Sequence, residues 1–319
     1  MIKDYAVGID IGGTNTKFGI VDRHGIILEQ DRIRTDAYEN AEDFIEGLYG
    51  KLRLMIANHG GNDYFKGIGV GAPNGNYYTG TIEYAPNLKW KGIIPVADLI
   101  EKKFGIPTKL TNDANAAAVG EMMYGVAKGM KHFITITLGT GVGSGIVIDG
   151  KIVLGHDGFA GELGHTVIRP GGRLHKGTGI RGSLESYASA TGVRETAIEM
   201  LSENPGAPSL LRNYAIDDLT SETVFKCAEQ GDAIANQIFE FTGQILGEAL
   251  ANFVMFSSPE AIVLFGGLTK AGDLILNPTV QAMEANLIQI FKNKVKILYS
   301  DLKEADAAIL GASALVWDA

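Results

Sequence analysis

Two short stretches of the chain carry residue types that hold anions. Gly12-Gly13-Thr14-Asn15-Thr16 follows one apolar run, and Gly139-Thr140-Gly141 follows another. Glycine tolerates positive φ and lacks a Cβ, so successive backbone N–H groups can turn toward a phosphate. Thr14, Asn15 and Thr16 add side-chain donors. Asp10 stands just ahead of the first turn, where a carboxylate could hold Mg²⁺ through water. The matching position ahead of the second turn is Ile136. One metal serving two phosphate-binding turns accounts for that asymmetry. Neither turn is a Walker loop, since no GxxxxGK[ST] occurs, and neither is a Rossmann fingerprint, since each leads into a strand.

Asn112-Asp113 opens a helical stretch. An aspartate there sees the positive end of the helix macrodipole and stays ionised more readily. Beside a γ-phosphate it could take the proton of an attacking hydroxyl. Asx at a helix start is also an ordinary cap, and the residues alone leave both readings open. Glu162-Leu163-Gly164-His165 sets two polar groups three residues apart, on one face if helical, and Glu185 follows. Carboxylates and an imidazole suit a polyol, because each can accept hydroxyl hydrogens. A surface ion pair or a satisfied core histidine fits that spacing equally.

The elements that must carry these residues follow from the hydrophobic pattern. Strands are expected at 5–11, 17–22 and 26–32, a helix at 41–58, a strand at 67–71 and a loop at 71–88. A helix at 95–104, a strand at 107–110 and a helix at 114–124 come next. The opening pattern then recurs at 132–138, 144–148 and 151–154, with Asp149-Gly150 as a hairpin signal. Gly13-Thr14 falls on Gly139-Thr140, and Gly19-Ile20-Val21 on Gly145-Ile146-Val147, at one offset. Strand, glycine turn, strand, X-Gly turn, strand is spoken twice, which reads as a duplicated domain. Helices are expected at 185–203, 218–230, 232–256 and 305–317, and strands at 261–265 and 295–299.

Composition bounds the chemistry further. The 319 residues suggest two domains, with 45% hydrophobic and 20% charged residues. Glycine supplies 42 of 319 residues, about 13% against a usual ~7%, as expected for many tight turns and close backbone approaches. The net charge of −9, without a basic block, argues against nucleic acid. A single cysteine, Cys227, excludes a disulfide framework and any multi-cysteine metal site within the chain. The opening MIKDYAVGIDIGG lacks a signal-peptide pattern, and the apolar stretch 245–256 contains Glu248 and Asn252, so no membrane span is expected. A reducing cytoplasm is the expected compartment.

Taken together, these motifs resemble the ROK family of sugar kinases and related repressors. The matching pieces are GIDIGGTNTKFGIV (8–21), APNLKW (85–90), TNDANAAAVGE (111–121), LGTGVGSGIV (138–147), AGELGH (160–165), RGSLESYAS (181–189) and VLFGGL (263–268). The resemblance spans nearly the whole chain in order. It implies an α/β protein of two actin-like (ribonuclease H-like) domains flanking a cleft, as in hexokinase and actin. It implies ATP, Mg²⁺ and transfer to a hexose hydroxyl, usually O6. By the same resemblance Asp113 is the general base and Asn112 a sugar ligand, with Glu162, His165 and Glu185 on ring hydroxyls. Gly12, Gly13, Thr14, Asn15, Lys17, Gly139, Thr140 and Gly141 would hold the nucleotide's phosphates, with Gly266 and Gly267 near adenosine and Asp10 serving Mg²⁺. Members are commonly homodimers.

The chain departs from the family pattern in two places. Members often carry C-x-C-G-x-x-G-C-x-E, whose cysteines bind zinc together with the histidine of E-L-G-H. Here those positions are Lys176, Thr178 and Ser183, so no zinc site is expected, and His165 is left to pair with a loop hydroxyl such as Thr178 or Ser183. The usual P-G-P loop is Gly71-Ala72-Pro73.

The expected function is phosphorylation of a hexose, with glucose ahead of N-acetylglucosamine or N-acetylmannosamine. A sugar-sensing repressor is the alternative from another class. It would need a DNA-binding segment ahead of a strand that begins at about residue 5. A non-enzymatic actin-like ATPase is disfavoured by the E-L-G-H block and Asn112-Asp113. The first domain is expected at 1–115 with 302–319, and the second at 116–301.

Overall fold

The computed structural model describes residues 3–317, so the ends of the expected first domain, 1–2 and 318–319, lie outside the described residues. The first unit begins as a meander of β1 (Tyr5–Ile11), β2 (Asn15–Asp22) and β3 (Ile27–Arg34). Helix α1 (Ala41–Asn58) follows, capped by Asn40, whose side chain accepts from the Asp43 N–H at 2.8 Å. Its apolar period buries Phe44, Ile45, Leu48, Leu52, Met55 and Ile56 in the first core. Then come β4 (Phe65–Ala72), a small antiparallel sheet of β5 (Gly75–Asn76), β6 (Thr81–Glu83) and β7 (Ile93–Ile94), α2 (Val96–Phe104), β8 (Thr108–Asn112) and α3 (Asp113–Tyr124). The stretch expected as a plain loop thus contains two short strands. They are too brief to show a period of two.

The second half continues with β9 (Phe133–Leu138), β10 (Val142–Ile148), β11 (Lys151–Ile152), α4 (Glu185–Ala188) and α5 (Ala190–Glu203). It closes with α6 (Ser221–Glu229), α7 (Ala233–Ser257), β12 (Ala261–Phe265), α8 (Asp273–Asn286), β13 (Lys296–Tyr299) and α9 (Glu304–Ala314). The expected helix over 185–203 is two helices. Ser189 is extended at φ −94°, its Oγ accepts from the Gly192 N–H at 2.9 Å, and it donates to the Glu185 carbonyl at 2.7 Å. A serine that bonds nearby backbone competes with the helix and restarts it. Among the described residues no helix is long and apolar enough to cross a membrane.

The two large sheets have the same strand order. The first runs β3-β2-β1-β4-β8 and the second β11-β10-β9-β12-β13. Each begins with an antiparallel hairpin and ends with a parallel edge pair, β4 with β8 and β12 with β13. The internal repeat read from the turns is therefore a repeat of topology. The described residues divide into two compact units, one of 3–135, Gly145–Gly161 and 300–317, the other Ile136–Ser144 with Glu162–Tyr299.

In the first unit, glycines let α9 lie directly on the sheet. A Cβ at Gly8 of β1 or at Gly69 of β4 would overlap the carbonyl oxygens of Ile309 and Ala312. Gly120 of α3 serves the same purpose, since a Cβ there would stand 2.8 Å from the Gly311 Cα. Gly69→Ala should therefore cost about 1–3 kcal/mol by overpacking. By contrast Gly50→Ala, in α1 with nothing within 4 Å of the added Cβ, should stabilise by about 0.5–1 kcal/mol. Urea unfolding of the two variants checks both signs.

Candidate active site

Strand register brings the first group of expected residues together. In the parallel ladder Asp10 pairs with Gly71, and Gly71 with Thr111, so the carboxyl ends of β1, β4 and β8 stand side by side. Asp10 ends up close enough to Asp113 to feel its charge. Loss of hydration is the main effect on Asp10, the Asp113 carboxylate adds to it and Lys17 opposes it; together they push the Asp10 carboxyl up to about 6. Asp113 keeps an exposed surface. The surrounding protein still limits its hydration and raises its carboxyl above the usual range, against the backbone N–H groups of Ala114 and of Asp113 itself. Asn112 caps α3, its Oδ1 accepting from the Ala114 N–H at 2.8 Å, and Asp113 Oδ1 accepts from the same N–H at 2.8 Å. Asn112 supplies the N-cap, and Asp113 begins the helix with an exposed surface.

The first glycine turn closes by Gly12 N–H donating to the Asn15 carbonyl at 3.1 Å, and the second by Gly139 N–H donating to the Gly141 carbonyl at 3.0 Å. Thr14, Asn15 and Thr140 are exposed on these turns. Thr16, expected as a donor, is not available. It is fully buried and its hydroxyl bonds Thr35 Oγ1 at 2.8 Å. Gly13 is required by the APNLKW stretch, because a Cβ would come 2.7 Å from the Asn87 carbonyl oxygen. Around Gly139 a Cβ would meet nothing within 4 Å, which leaves open room at the turn for a phosphate. Gly266 has φ +109° and lies against Leu138, the residue before the second turn, with Gly267 opening the 3₁₀ turn after β12. Within the first unit, the exposed donors of the first turn and the two mutually repelling carboxylates suit a phosphate with a divalent cation. Among the described residues no cluster of three or more His, Cys, Asp or Glu could hold a metal by protein ligands alone. Binding through water and phosphate oxygens is the form Asp10 allows.

The second group sits on the start of β10. Glu162 caps a single 3₁₀ turn, Leu163–His165, so the expected one-face arrangement is realised over one turn. Leu163 N–H donates to Ser144 Oγ at 3.1 Å, and Gly164 lies so near Val142 that a Cβ would overlap its carbonyl oxygen. Glu162 and His165 approach at 3.9 Å. Glu185, the first residue of α4, accepts from the Val142 N–H at 2.7 Å through Oε2 and contacts His175 Nε2 at 2.8 Å through Oε1. Gly141 abuts the same carboxylate. The second glycine turn, Glu162, His165 and Glu185 therefore form one group within one unit.

The loop bearing the family's cysteine positions has a different internal order from the one expected. Thr178 Oγ1 bonds His175 Nδ1 at 2.9 Å, and Ser183 Oγ, fully buried, bonds Ser186 Oγ at 2.8 Å. Neither hydroxyl reaches His165, whose Nδ1 is buried without a hydrogen-bond partner. His175 and Arg173 went unrecognised in the sequence, where no spacing rule points to them. Arg173 bonds the Ser186 carbonyl at 2.6 Å, Thr196 Oγ1 at 3.0 Å and Glu199 Oε1 at 2.9 Å, and stacks 4.7 Å over the Tyr187 ring.

The Asp10 geometry has a consequence for stability. A carboxyl raised from 3.8 to about 6 on folding contributes stability below about pH 4 that is lost as the pH rises through about 6. In metal-free buffer Asp10→Asn should raise the melting temperature at pH 8, with the gain vanishing at pH 4. Thermal scans at the two pH values check it.

The sequence matches the ROK family over residues 6–319. A glucokinase of Halalkalibacterium halodurans is 35% identical over 318 residues, covering 99% of this chain and 96% of that one. The crystal structure of a ROK family glucokinase from Streptomyces griseus, in complex with glucose and AMPPNP, aligns with a TM-score of 0.79 at 32% identity over 98% of both chains. A xylose repressor of Caldicellulosiruptor bescii is 31% identical over 313 residues, 97% of this chain and 77% of that protein. A family match over nearly the entire length, relatives above 30% identity and two sheets of one strand order agree: the chain belongs to the ROK family and has its α/β fold of two actin-like domains.

Proposed function

We propose that this ROK protein, an ATP-dependent sugar kinase, phosphorylates glucose at the 6-hydroxyl with Asp113 as general base. The observation that carries the reading is the accessible Asp113 carboxylate at the start of α3, beside Asp10 at the carboxyl ends of adjoining parallel strands. Loss of hydration raises the Asp113 carboxyl above the usual range, which makes it a better proton acceptor than an ordinary aspartate. Asp113 takes the O6 proton as the O6–phosphorus bond forms and the bond to the departing ADP breaks. Asn112, Glu162, His165 and Glu185 orient the ring by hydrogen bonds. Gly12, Gly13, Thr14, Asn15, Lys17, Gly139, Thr140 and Gly141 hold the phosphates, with Gly266 and Gly267 toward the adenosine. Mg²⁺ neutralises phosphate charge when bound, and Asp10 would hold it through water.

Glucose is favoured by the glucokinase relatives at 30% and 35% identity. N-acetylglucosamine and N-acetylmannosamine are the competing substrates. The single buried cysteine, Cys227, fits a reducing cytoplasm, and a homodimer is the proposed assembly. A sugar-sensing role without catalysis is the reading that the repressor relative keeps open.

Hexose-dependent ADP release, measured over glucose, N-acetylglucosamine, N-acetylmannosamine, mannose and fructose, tests the substrate. The highest kcat/KM should fall on glucose, and release with none of them would support the sensing role. Asp113→Asn should lower kcat by roughly 10²–10⁴ with little change in the KM for ATP. A variant within threefold of wild type would remove Asp113 from the base role.

The enzyme should also work without zinc. The loop 172–183 is closed by the Leu174–Arg181 bridge and tied down by Arg173, and Ser183 and Thr178 have hydroxyl or imidazole partners. Activity stripped by a chelator should return with Mg²⁺ alone, and elemental analysis should find no stoichiometric zinc. Zinc that survives dialysis and leaves together with activity would contradict this.

A further inference from the structure

We infer that His175 is a positioning residue that fixes the carboxylate of Glu185 for the sugar. The inference rests on the sugar-binding role proposed above for Glu185, and it concerns a residue in no part of the motifs.

Glu185 is only 15% exposed as a side chain, so its charge needs partners. It has two within hydrogen-bond reach, Val142 N–H at 2.7 Å on Oε2 and His175 Nε2 at 2.8 Å on Oε1. The other side of the imidazole decides what His175 does. The backbone N–H of Thr178 points at His175 Nδ1 at 3.2 Å, and a backbone N–H can only donate. Nδ1 is therefore the acceptor, and the neutral ring carries its proton on Nε2. His175 donates to Glu185. Thr178 Oγ1 lies 2.9 Å from the same Nδ1 and, with that tautomer, shares its lone pair as a donor.

The Val142 N–H on Oε2 and the His175 Nε2 2.8 Å from Oε1 thus hold the carboxylate from both oxygens and leave lone pairs for sugar hydroxyls. Without His175, one oxygen of a recessed carboxylate loses its partner, and the group can rotate away. The His165 ring stands 6.1 Å from that of His175, tilted by 51°, and no hydrogen bond joins them. His175 thus acts through Glu185 and not through His165.

Two isosteric substitutions separate this role from a loop contact. In His175→Gln the amide nitrogen takes the place of Nε2, so the donor to Glu185 survives and the acceptor for Thr178 is lost. In His175→Asn the side-chain oxygen takes the place of Nδ1, so the loop contact survives and the donor to Glu185 is lost. Loss of one charge-assisted hydrogen bond corresponds to about 10–100-fold. His175→Asn should therefore raise the KM for sugar by about that factor, with the KM for ATP and the melting temperature near wild type, and His175→Gln should recover most of the loss. The reverse order of the two variants, equal values for both, or equal losses with a lowered melting temperature would assign His175 to the loop and overturn the inference. Hexose-dependent ADP release by the wild type is the control. Its absence removes the kinase reading and this inference together, whereas an active wild type with indistinguishable variants removes only the inference.

Discussion

Parallel pairing of β1, β4 and β8 is the constraint on which the residue group of the first unit depends. Side-by-side strands end together, so residues far apart in the chain, Asp10 and Asp113, finish at one edge of one sheet. This is where open α/β sheets generally place ligands. The pairing is held from behind by α9, which reaches the strands only because Gly8 and Gly69 present bare backbone. A side chain at either position would lift the helix. The carboxyl ends of the strands, and with them the two carboxylates, are thus supported by contacts farther back along the same strands.

Electrostatic strain is concentrated at that edge. Asp10 titrates near 6 because it is poorly hydrated and faces a second carboxylate, with Lys17 a partial counterweight. A fold selected for stability alone would place an amide there. The arrangement suits a site that meets a cation and a chain of phosphates, since the charge that is unfavourable in the free protein becomes complementary in the complex.

The residue group of the second unit rests on different physics. There the backbone of β10 organises the group: Val142 N–H holds Glu185, the Val142 carbonyl admits only Gly164 beside it, and Ser144 receives Leu163. The neighbouring loop is ordered by an arginine and an aromatic ring. Arg173 ties the loop to α4 and α5 through a guanidinium fork and a cation–π contact with Tyr187. Such a hub does from one side chain what a cross-link does by connecting several, and it leaves His175 free to serve Glu185.

The sequence by itself determined the features whose causes are local. Glycine turns, the Asn112 cap, the period of α1 and the repeated strand–turn–strand pattern are written in neighbouring residues, because backbone freedom, capping and amphipathicity act over a few positions. The repeat of turns even anticipated that the two sheets share one strand order. Only the tertiary structure decided which polar groups remain available. Thr16 looks like a ligand donor in the turn, yet Thr35 of a later segment takes its hydroxyl. Thr178 and Ser183 look like partners for His165, yet His175 and Ser186 have them. Ser189 breaks a stretch that reads as one helix and so sets Glu185 at the head of a short one. In each case the outcome depends on competition among hydrogen-bond partners brought together by folding, and a linear pattern carries no record of which partner wins.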